Sequence, residues 1–171
     1  MGRSHLRLPA AASCRLGSAS ARPDDTARRL AAFHWITDHD LLFANLAAST
    51  REGGRLTSDC GGQGQLAHLN AALVQVTGTE KWGVEFAGIA ETQRSLQDNG
   101  WTVESVRLRP DPLRLEDPAL METYLATVCL SSYVVGLAPS QAREFVREVR
   151  LAMAEPVIDY VRLEIDAVRA D

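Results

Sequence analysis

Cysteine is scarce in these 171 residues: only Cys14, Cys60 and Cys129 occur. An odd number with no C-x-x-C pair argues against a disulfide framework or a zinc ribbon. A reducing, cytoplasmic setting is then the default. Long apolar runs are missing too, and none approaches the ~20 residues of a membrane-spanning helix. There is no excess of positive charge: 18 basic against 22 acidic residues leave a net −4. Nucleic acid and anionic membrane are therefore poor candidates for the main partner. Internal repeats and a low-complexity core are absent as well.

What remains is ordinary for a water-soluble domain. Hydrophobic residues make up 46% and charged residues 23%. A single domain of this length buries roughly 70% of its unfolded surface and needs no covalent staples. The first thirty residues stand apart, with six arginines (Arg3, Arg7, Arg15, Arg22, Arg28, Arg29) and two acids (Asp24, Asp25). The rest of the chain balances to −8. Residues 1–32 show no sustained helical or strand period, and no core element is expected there. A transit peptide, a disordered tail and an out-of-frame N-terminus all fit that leader.

Periodicity places the later elements. Asp38 or Thr37 caps a helix over about His39–Ser49, with Leu42, Phe43, Leu46 and Ala47 on its apolar face. Gly53-Gly54 is expected to end it. Arg55–Cys60 reads as a short strand, and Gln65–Gln75 as a helix with Leu66, Leu69, Leu73 and Val76 on one side. Thr77–Gly88 reads as loop, Glu91–Asn99 as a helix closed by Gly100, and Thr102–Leu108 as a strand. Asp117-Pro118 starts a helix reaching about Val135, with Leu120, Tyr124, Leu125 and Val128 inward. Another runs from Ser140 to about Met153 on Phe145, Val149 and Met153. Val161, Leu163, Ile165 and Ala167 alternate with polar residues in the clearest strand. Helices mixed with three strands define an α/β layered fold.

Gly62-Gln63-Gly64-Gln65-Leu66-Ala67 matches the dinucleotide fingerprint G-x-G-x-x-G/A between a strand and a helix. Three features oppose that role. The preceding strand has one leucine where a buried first strand is nearly all apolar. Glu80 and Glu85, the acids at about the right distance, follow no apolar run. A helix leads into this strand, so it is not the first of its sheet. A turn that needs glycine for close packing explains the motif equally.

The longer block Phe33–Gly64 adds a resemblance. Its segments F-H-W-[I/V]-x-D-H, L-F-x-x-L-A, R-x-G-G-R-L and C-G-G resemble the second half of class I S-adenosylmethionine-dependent methyltransferases, and in particular the trans-aconitate methyltransferase-like members. The tail segments LEDPALMETYLATVCL and EPVIDYVRLEIDA look similar to that family as well. The family more often has proline at the place of Glu52, and a more apolar strand than Leu56–Asp59. The resemblance implies that Phe33-His34-Trp35 follows the fourth strand, that Asp38 caps the next helix, and that Arg51–Leu56 leads into the fifth strand. It implies a partial Rossmann-like sheet of the later strands, five to seven, in residues 33–171, with a helical insert at about 116–153. The N-terminal strands, the G-x-G-x-G cofactor loop and the ribose-binding acid belong well before Phe33. The chain is thus expected to be a truncated C-terminal half behind an unrelated leader, inactive alone, with the outer edge of its fifth strand open to self-association.

By the same resemblance His34 and Trp35 face S-adenosylmethionine, Trp35 with a cation–π contact to the sulfonium. Tyr124, Tyr133 and Arg143 are expected at the small-molecule methyl acceptor. Methyl transfer is an in-line displacement that rests on positioning and water exclusion. A carboxylate acceptor is already anionic at neutral pH and needs no base, so no catalytic residue is assigned. Arginine suits such an acceptor through paired hydrogen bonds. An aromatic at helical spacing is otherwise ordinary core, and an arginine ordinary surface. Asp38-His39-Asp40 invites a metal reading, but His34 and His39 straddle a helix start, and capping explains both aspartates. Cys60 has no activating base nearby in sequence.

Overall fold

A computed structural model describes residues 24–27, 33–78 and 86–171. A short strand β1, Asp24–Ala27, precedes a 3-10 turn at Phe33–Trp35 and the helix α1, His39–Ser49. Strand β2 spans Thr50–Gly61, and α2 covers Ala67–Thr77. Helix α3, Ile89–Asp98, leads into β3, Trp101–Pro110, and the two-residue β4, Leu113–Arg114. A helical layer follows: α4 Pro118–Tyr124, a π-helical turn Leu125–Cys129, α5 Ser131–Val134 and α6 Pro139–Ala152. The chain closes with β5, Val157–Ile158, and β6, Val161–Arg169.

The main sheet has the order β1-β2-β6-β3. β1 runs parallel to β2, and β6 is antiparallel to both β2 and β3. Thus β1, β2 and β3 share one direction, and their carboxyl ends share one edge with the start of β6. The fold is mixed α/β. β1 lies in a stretch where the sequence shows no strand period; its four residues are too few to carry one. It pairs along Thr50–Leu56 of β2 and covers that part of an edge expected to be open.

The sheet is one-sided. Leu56, Cys60, Leu163, Ile165 and Ala167 are buried with Phe33, Phe43, Leu96 and Trp101, beneath α1 and α3. The opposite face carries charge across the strands. Arg55 grips Asp166 in a bidentate pair (2.7 and 2.5 Å), and Glu164 accepts from Arg107 (2.5 Å) and Arg109 (2.7 Å). Antiparallel pairing tolerates water on one face. That is why Leu56–Asp59 alternates where a doubly covered strand would be apolar throughout.

Three sequence expectations change in detail. Gly53-Gly54 does not end α1. The helix stops at Thr50, whose amide donates to Ala47 O, and the chain enters β2 directly. The glycines form a bulge in β2: Asp24 pairs with Thr50 but Thr26 with Arg55. Gly53 takes φ +73°, and a Cβ on Gly54 would lie 2.9 Å from Arg51 O. The helix begun at Asp117 is interrupted, since Leu130 N donates to Leu125 O across a π turn. Its inward residues are Met121, Leu125 and Cys129, while Leu120 and Val128 are exposed. Leu125 is inward and Tyr124 packs against the core as the spacing predicts, but the row Met121, Leu125 and Cys129, rather than Leu120 and Val128, completes the buried face.

Candidate functional site at the carboxyl edge of the sheet

At the carboxyl end of β2 the glycine turn meets the Phe33–Trp35 turn. Phe33 is anchored in the core and packs edge-on against Phe43. On the same turn Trp35 is 69% exposed, with its ring 4.9 Å from that of the half-buried His34. Phe86 adds a third ring, 6.1 Å from His34. The Gly61 amide donates to His34 Nδ1 at 3.3 Å, joining the two turns. Burial first, and then the positive charge of Arg162, hold the imidazole below its ordinary pKa. Arg162 stands opposite Gly61 in the ladder. Its guanidinium donates to Asp59 Oδ1 (2.6 Å) and to Asp59 O (2.9 Å).

The glycine turn has a packing role. A Cβ at Gly62 would meet Leu108 Cδ2 at 2.5 Å and Leu163 Cβ at 2.8 Å, so this turn must be bare to lie on β3 and β6. Four of its amides are engaged. Gly62 N donates to Val161 O, Gln63 N to Ala87 O, Gln65 N to Gly62 O and Leu66 N to Asp159 O, all at 2.9–3.0 Å. The Asp159 carboxylate also accepts from His68 N at the start of α2. A phosphate would find these donors taken and a negative charge already at the helix N-terminus. The geometry therefore opposes the dinucleotide reading. Glu80 and Glu85 lie outside the described residues.

Asp38, His39 and Asp40 have structural partners. Asp38 Oδ1 accepts from Leu41 N at 2.9 Å as the N-cap of α1. His39 Nε2 lies 3.3 Å from Phe33 O, and Asp40 accepts from the Ser95 hydroxyl. They line a cleft of about 360 Å³ together with Glu91, Arg94 and Asp98. Cys60 is buried, and burial pushes its thiol pKa up.

Two of the expected acceptor residues, Tyr124 and Tyr133, pack against a second apolar cluster built from α2 and the α4–α6 layer. Tyr124 OH lies 2.7 Å from Tyr160 OH, with Cys129 Sγ 4.0 Å beyond. Tyr133 stacks on Phe145 at 6.1 Å. Arg143 is exposed on α6. The structure thus joins His34 to Trp35, while Tyr124 and Tyr133 belong to a different core. Arg162, Asp59 and Phe86 are the site residues that sequence reasoning missed. Arg162 reaches His34 only through the β2–β6 register, which no local pattern encodes.

Neither a protein-family model nor a curated protein matches this chain. Several solved structures are loosely similar. The YcgJ protein of Bacillus subtilis is 11% identical over 90% of this chain and 68% of its own, with a TM-score of 0.49. The phosphoethanolamine N-methyltransferase 2 of Haemonchus contortus is 12% identical over 85% of this chain and 33% of its own (TM-score 0.41). Geranyl diphosphate C-methyltransferase from Streptomyces coelicolor is 15% identical over 78% and 43% (TM-score 0.36). The chain spans less than half the length of the last two proteins. Likeness at these TM-scores assigns neither family nor activity.

Proposed function

We propose that the chain is a domain of an S-adenosylmethionine-dependent methyltransferase, resembling the trans-aconitate methyltransferase-like group and acting on a small carboxylate. The carrying observation is the position of the His34-Trp35 turn. It follows a strand parallel to β2 and touches the carboxyl end of β2 through the Gly61 amide. Open α/β sheets bind ligands in the crevice outside the carboxyl ends of their strands. The resemblance of Phe33–Leu56 calls for this loop between two successive parallel strands.

The residues fit one end of the cofactor. An exposed Trp35 beside His34 and Phe86 offers π faces to a sulfonium. Four amides of the glycine turn are already engaged and make a poor cradle for the rest of it, and the only glycines in residues 1–32 are Gly2 and Gly17. The cofactor, when bound, supplies an electrophilic methyl group. The chain's own part is to orient the acceptor and exclude water. In this reading Tyr124, Tyr133 and Arg143 serve the acceptor side, from the helical layer. The buried, free thiols of Cys60 and Cys129, among the described residues, suit a reducing, cytoplasmic compartment.

A nitrogen-15 NMR titration with millimolar S-adenosylhomocysteine tests the reading. Shifts confined to His34, Trp35 and Gly61 are expected, with affinity weaker than micromolar. No response at those residues overturns the family reading. Micromolar binding by calorimetry overturns the statement that this chain alone holds the cofactor poorly.

A further inference from the structure

His34 is fixed by a hydrogen bond that also fixes its chemistry. The donor is the Gly61 amide, so Nδ1 must present a lone pair. The neutral ring then carries its hydrogen on Nε2. That N–H has no acceptor among the described residues, and Nε2 is not among the sealed, unpaired polar atoms. Among the described residues the groups against the ring are Arg162, Trp35 and Phe86, while the Cys60 thiol meets the His34 backbone. Among those residues no carboxylate acts on the ring to favour imidazolium, and the nearby Asp59 is held by Arg162. Arg162 adds positive charge nearby, shared with its partner Asp59.

We propose that His34 acts as a hydrogen-bond donor, through Nε2, to an anionic oxygen of the ligand, and does not act as a base. To work as a base at Nε2 the ring would need its hydrogen on Nδ1, facing the Gly61 N–H. Acceptors that must lose a proton, such as alcohols or ammonium groups, are therefore poorly served here. Carboxylate and phosphate oxygens, already anionic, fit the donor and the nearby guanidinium. His34 is a positioning and specificity residue of the edge site. The ligand class rests on the reading of that edge as a binding site; the tautomer does not.

Imidazole nitrogen-15 NMR of the full chain reads the tautomer directly, with the His34 signals assigned by their loss in His34→Asn. At pH 7.5 a protonated Nε2 and a bare Nδ1 are expected. A hydrogen on Nδ1 overturns the proposal whether or not the methyltransferase reading holds. Succinate and inorganic phosphate are then titrated separately. The Nε2–H signal is expected to move with at least one of them, and which one separates carboxylate from phosphate. No movement with either overturns the ligand class. His34→Asn keeps an acceptor for Gly61 but loses the outer donor, and about tenfold weaker anion binding is expected. His34→Gln restores a donor near Nε2 and should recover most of that loss. Equal binding by the Asn variant overturns the donor role. Should that variant not fold, the titration of the native chain decides.

Discussion

Burial sets the chemistry of single residues here more than their sequence neighbours do. Cys129 sits in the helical core with its thiol pKa pushed up to about 11, chiefly by desolvation. Burial also raises Cys60. Neither sulfur is a thiolate near neutral pH in the folded chain. In a Cys14→Ser variant, Ellman's reagent at pH 8 should therefore react only as fast as the protein opens, and at once in urea. Rapid labelling of either cysteine in the folded state would contradict this packing. Phe43 is fully buried against Phe33 in the sheet core and accepts the Trp101 indole N–H at its carbonyl. Phe43→Ala should cost about 3–5 kcal/mol in urea unfolding, because the cavity collapses only partly.

Among elements, the boundaries set by local chemistry were legible. Asp38 before His39–Ser49 is an N-cap, and Asp117 caps α4 with Ala119 N at 2.8 Å. Gly100 with φ +79° follows α3, as glycine at a helix end should. Val161–Ala167 alternates because one face of β6 is core and the other is water. Glycines were less legible, because φ > 0 serves both a helix end and a bulge. Gly53-Gly54 fits either, and only pairing with β1 decides. The turn after β2 is similar: its motif matches a cofactor loop, while its neighbours Leu108 and Leu163 make it a packing turn. Gly62→Ala is expected to destabilise the chain by about 1–3 kcal/mol through overpacking. Its urea midpoint should fall with no change in any nucleotide-induced stabilisation. A lost nucleotide effect would restore the dinucleotide reading.

Across the whole molecule, charge is arranged on one sheet face, and stability should follow pH accordingly. Arg109 and then Arg107 hold the Glu164 carboxyl below its ordinary pKa. A carboxylate depressed on folding contributes above its unfolded pKa, about 4.3. The contribution disappears as pH falls through the lower folded value. His34 is also depressed, so the unfolded chain binds its proton first and stability declines below the ordinary 6.5. Urea midpoints should thus drop in two stages on acidification. Glu164 is partly exposed, so Glu164→Gln should cost under ~1 kcal/mol at pH 7. The gap should close in strong acid; a gap that persists there would mean that the carboxylate charge is not its source. The far edge, β3, carries a bulge between Val103 and Ser105, charged Arg107 and Arg109, and Pro110. Such features discourage strand addition.

Residues by themselves marked the longer helices, the strands β2, β3 and β6 and the α/β fold, but not the short β1, β4 and β5 or the start of β2 at Thr50. Those properties follow from neighbours within a turn or a pleat: an N-cap, a proline, an alternation of side chains. Tertiary structure alone decided that β6 lies between β2 and β3, and so that Arg162 stands beside His34. It decided which face of α4 is inward, and that four amides of the glycine turn are engaged. Each of these depends on partners far apart in the chain, such as Gly61 with Arg162 or Leu66 with Asp159. Local periodicity does not specify such pairings, because several registers satisfy it equally and only the packed core makes one of them lowest in energy.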